Sequence, residues 1–166
     1  MENIAYIGIG SNQGDKTRYC SDAIKEISKH NGNIVLEESS FYRTEPWGKE
    51  DQDWFINCVV KVETTLDPFE LLRFLQDIER RFKRVKGQRW SERTIDLDIL
   101  FFNDEVMRKQ DIDIPHSLIQ ERRFVLVPLD EICSELIHPV LEKSIGEILE
   151  ETKDKKEVIR IVSIYG

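Results

Sequence analysis

Asp96 and Asp98 stand two residues apart in Ile95-Asp96-Leu97-Asp98-Ile99, directly behind a run of cations. Residues 80–93 hold seven basic side chains (Arg80, Arg81, Lys83, Arg84, Lys86, Arg89, Arg93) against one acid, Glu92, in a chain of net charge −8. The alternation of aspartate with Ile95, Leu97 and Ile99 has the period of a strand. It buries the aliphatics and turns both carboxylates to one face, roughly 6–7 Å apart along the backbone. Two hard oxygen ligands at that spacing suit Mg²⁺, which is commonly held by one or two carboxylates plus substrate phosphates. Guanidinium groups beside them fit the remaining phosphate oxygens. The chemistry available to this stretch is that of a metal–polyphosphate site. A half-exposed strand with an acidic outer face is the plainer explanation. Against it, aspartate is disfavoured in strands, and carboxylates side by side repel unless a cation lies between them.

Part of the cationic run is explained by a helix end, where Arg80, Arg81 and Lys83 complement the dipole. Arg84, Lys86, Arg89 and Arg93 continue past that end into what Gly87 marks as a loop. They read as a mobile phosphate-binding segment spanning Lys83 to Arg93, whose like charges repel until phosphates arrive. RNA binding is the other functional reading, without a one-sided basic face elsewhere to support it. Trp90, inside this charged loop, is suited to packing on a base or sugar. Asn57 offers both donor and acceptor, which can read the edge of a heterocycle if the amide is buried; Trp54 and Phe55 beside it suit a strand start. His116, after Pro115 and before Arg122-Arg123, reads equally as a ligand contact and as a structural histidine, whereas His30 and His138 read as surface or capping residues. Gly8-x-Gly10-Ser11-Asn12 lacks the Walker lysine and the six-residue dinucleotide pattern, and reads as a tight strand-to-helix turn.

The elements that must position these groups follow from periodicity and punctuation. Ile4–Ile9 is an apolar strand. Cys20, Ala23, Ile24 and Ile27 fall at helical spacing, with Asp15 as N-cap and Gly32 as stop signal. Ile34–Tyr42 and Trp54–Glu63 read as strands around a polar loop containing Pro46 and Gly48. Asp67-Pro68 is a cap followed by proline at the first helical position, and Leu71, Leu72, Leu75, Ile78 and Phe82 then form a stripe of about four helical turns. The aspartate strand ends at Asn103-Asp104. The order β-α-β-β-α-β is the split signature of a ferredoxin-like α+β fold: an antiparallel sheet with helices on one face. Helices near 119–131 and 144–151, the latter opened by the capping box Ser144-x-x-Glu147, and a strand over Val158–Ile164 are C-terminal additions. Lys153–Glu157 reads as a solvated turn.

At 166 residues, with 40% hydrophobic and 34% charged side chains, the chain is expected to be one domain spanning residues 1–166 with a real core. No apolar run approaches the roughly eighteen residues of a membrane span, and the first residues carry no signal region. Cys20, Cys58 and Cys133 are odd in number and scattered, so they read as buried thiols of a reducing, cytoplasmic protein. The acidic balance argues against nucleic-acid and membrane-surface partners, and a monomer with small-molecule substrates is expected.

Taken in order, the motifs resemble the 6-hydroxymethyl-7,8-dihydropterin pyrophosphokinase family of the folate pathway, over residues 4–139 at least. The resemblance lies in Ile7-Gly8-Ile9-Gly10-Ser11-Asn12, Tyr42-Arg43-Thr44-Glu45-Pro46-Trp47-Gly48 and Asp51-Gln52-Asp53-Trp54-Phe55-Ile56-Asn57. It continues through Gln76-x-x-Glu79, Arg89-Trp90-x-x-Arg93-Thr94-Ile95-Asp96-Leu97-Asp98-Ile99-Leu100, Ile114-Pro115-His116 and Glu121-Arg122-Arg123-Phe124-Val125-Leu126. It implies transfer of pyrophosphate from ATP to the pterin hydroxymethyl group, releasing AMP. By the same resemblance, Asp96 and Asp98 hold two Mg²⁺ ions that bridge the ATP phosphates, and Arg84 and Arg93 join them as catalytic residues. Arg84, Lys86, Arg89, Arg93, His116 and Arg122 grip the triphosphate, while Gln76, Glu79, Trp90 and Ile99 seat the nucleoside. Thr44, Glu45, Pro46, Trp47, Phe55, Asn57, Asp96 and Phe124 surround the pterin, with Thr44 and Asn57 on its guanine-like edge. Phe124 stacks the ring against the Phe55 or Trp47 region.

The chain departs from the family where Ser91-Glu92 replace Gly-Pro and where Phe82-Lys83-Arg84-Val85-Lys86 replaces Leu-Gly-Arg-x-Arg. Two other functions fit the bare residues: a different Mg²⁺-dependent nucleotidyl or phosphoryl transferase, and a non-catalytic ferredoxin-like RNA-binding module.

Overall fold

The computed structural model describes residues 2–46, 53–85, 95–109 and 111–161. Its first strand, β1 (Asn3–Ser11), leads through a turn at Gly14, whose φ of 62° suits a residue without Cβ. Helix α1 (Lys16–Lys29) follows, capped by the Asp15 carboxylate, which accepts from the Arg18 amide. The strand expected over 34–42 divides into β2 (Asn33–Glu38) and β3 (Tyr42–Thr44). Its ladder is interrupted at Ser39, whose hydroxyl accepts from the Val59 amide at 2.9 Å, so a side chain takes over a backbone bond. Strand β4 (Phe55–Thr64) pairs with β1, β2 and β3. Helix α2 (Pro68–Val85) opens on a reciprocal cap in which Asp67 and Glu70 each accept the other's amide, at 2.8 and 2.9 Å. It has 18 residues, about a turn longer than its apolar stripe suggests, and so carries Arg84 within the helix rather than beyond it.

Strand β5 (Asp96–Phe102) closes one edge of the sheet, whose order is β5-β1-β4-β3-β8 with β2 also on β4; all its pairs are antiparallel. This is the ferredoxin-like arrangement expected. A small hairpin, β6 (Met107–Lys109) and β7 (Ile112–Ile114), escaped the sequence reading because its strands have three residues each and polar interiors. The C-terminal part contributes a 3₁₀ turn at Ile119–Glu121, helices α3 (Arg123–Cys133) and α4 (Ile145–Glu151), and strand β8 (Val158–Arg160). The Ser144–Glu147 capping box opens α4.

Two apolar layers hold the sheet. Ala5, Ile7 and Ile9 of β1 and Leu97 and Ile99 of β5 pack beneath α1 and α2 with Cys20, Leu71, Leu75 and Ile78. Tyr6, Val59, Leu100 and Phe101 pack on the other face against Leu126 and Leu129 of α3 and Ile145 and Ile148 of α4. Fully burying each such large aliphatic is worth about 1.5–3 kcal/mol. The C-terminal helices thus cover only part of the second face, and the ends of β1, β4 and β5 beyond them are left for a ligand.

Candidate active site

Strand period assigns the residues of that open face. Gly10 lies opposite Asn57 on one side and Asp96 on the other, and Gly8 lies opposite Val59 and Asp98. Cross-strand partners share a face, so two rows, Asn57–Gly10–Asp96 and Val59–Gly8–Asp98, run across three strands. The outer residues of a row are two strand spacings apart, about 10 Å. Both rows line a cavity of about 170 Å³ to which Thr44, Glu45, Phe55, Leu100, Arg122, Phe124 and Val125 also contribute. A wider hollow of about 690 Å³, between Gln120, Leu141, Lys143 and Thr152, contains none of the residues assigned to ATP, metal or pterin from the sequence.

The polar end of the cavity is built by a buried pair. Asn57 is 8% and Thr44 1% exposed, and the Asn57 amide donates to the Thr44 hydroxyl at 2.7 Å. Gly10 makes room for them, because a Cβ there would stand 2.4 Å from Asn57 Oδ1. The two glycines therefore belong to the strand and not to a turn, which corrects the sequence reading. Their spacing of two was the available signal. Phe55 enters the cavity, whereas Trp54 packs under the Arg43 guanidinium, 4.2 Å from its ring centre. Lys16 fixes this strand start by donating to the Trp54 carbonyl at 2.7 Å.

At the other end, Leu97 is buried and Asp98 exposed, as the alternation requires, with Asp96 half-buried. Glu79 of α2 accepts from the Leu97 amide at 2.8 Å and so braces β5 between the two aspartates. Gln76 is exposed one turn earlier on α2. Ile99 lies in the core beneath α1 and α2, on the face opposite the aspartates, so its side chain is removed from the cavity. His116 follows the cis Ile114–Pro115 bond, and its amide donates to the Leu100 carbonyl at 3.0 Å. Its Nδ1 accepts from the Leu118 amide at 3.3 Å, which makes Nε2 the donor of the neutral ring. Burial lowers the pKa of His116; the charge of Asp98 opposes that shift and that of Arg122 adds to it. Burial likewise lowers Arg122, against Asp98 and Glu121. Asp98, His116 and Arg122 are thus electrostatic neighbours. The Arg122 guanidinium also lies 5.6 Å from the centre of the Phe124 ring.

Of the residues singled out by sequence, Thr44, Glu45, Phe55, Asn57, Asp96, Asp98, Arg122 and Phe124 meet at one cavity. Pro46 is buried at the end of the described segment beside it. Arg84 is placed only as a position on the last turn of α2. Trp47, Lys86, Arg89, Trp90 and Arg93, and with them most of the expected mobile segment, lie outside the described residues. The sequence reading missed Gly8, Gly10 and the apolar lining Val59, Leu100 and Val125, which read simply as strand and helix interior.

An antiparallel α+β sheet of ferredoxin-like order, with a cleft on the face its first two helices leave open, defines the class. Residues 6–134 match the model of the 7,8-dihydro-6-hydroxymethylpterin-pyrophosphokinase family, a segment that ends before α4 and β8. The 2-amino-4-hydroxy-6-hydroxymethyldihydropteridine pyrophosphokinase of Bacillus subtilis is 46% identical over 136 residues, 82% of this chain and 81% of the relative. The enzyme of that name from Haemophilus influenzae is 40% identical over 154 residues, covering 93% and 96%. The crystal structure of wild-type Plasmodium falciparum HPPK-DHPS with STZ-DHP superposes with a TM-score of 0.74 at 18% identity, a likeness of fold. That superposition covers 91% of this chain but only 43% of the Plasmodium one. The chain belongs to the 7,8-dihydro-6-hydroxymethylpterin-pyrophosphokinase family. It is an ATP-dependent pyrophosphokinase of folate biosynthesis, transferring pyrophosphate from ATP to hydroxymethyldihydropterin.

Proposed function

We propose that the cavity on the open sheet face seats the pterin, with its amide-like edge on Thr44 and Asn57 and its hydroxymethyl group toward Asp96 and Asp98. The observation that carries this is the row Asn57–Gly10–Asp96, which sets a hydrogen-bonding amide and a carboxylate on one face about 10 Å apart. The Asn57–Thr44 bond uses one amide hydrogen and one hydroxyl lone pair. The hydroxyl hydrogen and Asn57 Oδ1 are then a donor and an acceptor suited to a heterocycle edge. Phe55 and Phe124 supply apolar area and aromatic faces for the ring.

ATP then meets the pterin at the aspartates. The donor set there fits Mg²⁺: two hard carboxylates on one strand face, with cationic Arg122 and the His116 donor beside them for phosphate oxygens. Asp96 and Asp98 would hold two such ions, which supply charge compensation to the phosphates when bound. His116, kept toward its neutral form, offers Nε2–H to a phosphate oxygen, and Arg122 offers its guanidinium. Gln76 and Glu79 lie toward the nucleoside, and Ile99 can take part only through its backbone. Arg84, Lys86, Arg89, Trp90 and Arg93 complete the triphosphate and nucleoside contacts, and Trp47 and Pro46 the pterin rim. The hydroxymethyl oxygen attacks the β-phosphorus and gives up its proton to solvent, a new O–P bond forms, the bond from that phosphorus to the α,β-bridging oxygen breaks, and AMP leaves. Positioning and electrostatics do most of this work.

Incubating the chain with ATP, Mg²⁺ and 6-hydroxymethyl-7,8-dihydropterin and separating the nucleotides tests the reading. AMP in step with pterin diphosphate is expected; release of ADP or of free pyrophosphate points to a different transferase. Against an RNA-binding module, the strands at the cavity present two glycines, two carboxylates and a single aromatic, Phe55, where such sheets stack successive bases on paired aromatics.

A further inference from the structure

The segment that runs from Asp154 into β8 lies beyond the family match, yet it binds elements on both sides of the cavity. Its ladder with β3 pairs Thr44 with Val158 and Tyr42 with Arg160. One step further, the Glu45 amide donates to the Glu157 carbonyl at 3.1 Å, and the Glu157 amide donates to the Glu45 carboxylate at 2.6 Å. The same segment reaches the opposite wall. The Arg123 amide, in the first turn of α3 and next to Phe124, donates to the Asp154 carboxylate at 2.8 Å. The Arg123 guanidinium donates to the Lys156 carbonyl at 3.1 Å. Residues 154–158 therefore bind the end of the strand that carries Thr44 to the start of the helix that carries Phe124.

We infer that the C-terminal segment is a strap that sets the width of the pterin cleft, and that Glu45 is its positioning residue, acting through the Glu157 amide rather than by touching the pterin. This rests on the pterin-site reading given above. Glu45 lines the cavity, but one of its carboxylate oxygens is committed to the Glu157 amide, which lies outside it. What that bond does is hold Thr44, and through Thr44 the Asn57 amide, at a fixed distance from Phe124. Loss of the strap lets the two walls drift, which costs pterin affinity and leaves the aspartates on the distant edge strand untouched.

The test compares Glu45→Ala, Glu45→Gln and Glu157→Pro in the full chain, measuring pterin KM and kcat, ATP affinity and the urea unfolding midpoint. Proline removes the Glu157 amide donor and keeps its carbonyl. Glu45→Ala and Glu157→Pro should each raise pterin KM by about threefold to tenfold, the net worth of one typical hydrogen bond. The double variant should be little worse than either single one, since both remove the same contact. ATP affinity and kcat should stay within about twofold. Glu45→Gln, which keeps an acceptor oxygen, should restore most of the affinity. A rise in KM for Glu45→Ala without one for Glu157→Pro would show that Glu45 meets the pterin directly and overturn the strap. Unchanged pterin KM in both would overturn it too, as would parallel losses in ATP affinity and unfolding midpoint. If the unaltered chain fails to bind pterin at all, the functional reading falls and this inference with it; wild-type binding with indifferent variants removes the inference alone.

Discussion

Asp98 is an exposed carboxylate inside a strand, where it adds nothing to the core and sits one residue pair from a second acid. Its replacement by alanine should therefore leave the unfolding free energy within about 0.5 kcal/mol of the parent. Turnover should fall by about 100-fold or more, the order expected when several kcal/mol of phosphate charge compensation is lost. Urea unfolding beside single-turnover kinetics would check this; near-normal turnover would remove Asp98 from the chemistry. Asn57→Ala should act instead on the pterin, at the end of the neighbouring row that faces away from Asp96. It strands the buried Thr44 hydroxyl and removes a partner from the heterocycle, so pterin binding should weaken by about 1–3 kcal/mol while ATP binding holds. Calorimetric titration of each ligand separates the two, and equal losses would make Asn57 a support of the fold. These residues were legible in the sequence because their chemistry is local: a carboxylate pair at strand period, an amide two residues beyond the aromatic pair Trp54-Phe55. Glu79 was named for the nucleoside, and its bond to the Leu97 amide was not foreseen, since nothing in the sequence says which backbone donor on an edge strand goes unpaired. Ile99 was named for the nucleoside, and its alternation with the aspartates already places its side chain on the face away from them.

At the scale of elements, β1 is where sequence reasoning went astray and where the cleft is made. Gly8 and Gly10 look like turn residues because glycine weakens strands, and only the facing strand explains why the backbone must be bare at Gly10. Asn57 Oδ1 occupies the space of a Cβ at Gly10, whereas at Gly8 a Cβ would meet the Leu100 methyls at 3.4 Å, an ordinary contact. Gly10→Ala should thus displace the Asn57 amide, lower stability by about 1–3 kcal/mol and weaken pterin binding about tenfold. Gly8→Ala should fold with near-parent stability. If the two alanines behaved alike by urea denaturation and pterin titration, the close approach at Gly10 would not be what selects glycine. Helices and caps were read well because their signals sit within a few residues: Asp15, Asp67-Pro68 and Ser144-x-x-Glu147 each act as expected. The break between β2 and β3 was not readable, because it depends on the Ser39 hydroxyl finding an amide twenty residues away.

Across the whole molecule, the order of elements was enough to give the sheet, but not which part of its second face α3 and α4 would leave uncovered, for that depends on where the C-terminal segment docks. One buried group in that docking region makes the molecule acid-sensitive. His138 is 3% exposed, stands edge-on to Phe101 with ring centres 5.5 Å apart, and its Nδ1 accepts from the amides of Val140 and Leu141 at 3.2 and 3.1 Å. Burial lowers its pKa below the ordinary 6.5 and the charge of Arg108 adds to that, while a backbone bond of its own opposes it. A histidine lowered in the folded state contributes stability that is fully present above its unfolded pKa and lost as pH falls through the folded value. Protonation would also turn Nδ1 from acceptor to donor and break both amide bonds. Stability should therefore decline as pH falls below about 6.5, before the carboxylates titrate. His138→Asn places an amide oxygen near the position of Nδ1 without a proton to take up in this range, so it should lose less stability than the parent between about pH 7 and 5 even if its stability at pH 7 is lower. His116, lowered for the same reason of burial, is common to both proteins and cancels in the comparison. Urea midpoints measured across that range decide the matter: a parent curve steeper than the variant's assigns the acid loss to His138, and parallel curves place it elsewhere.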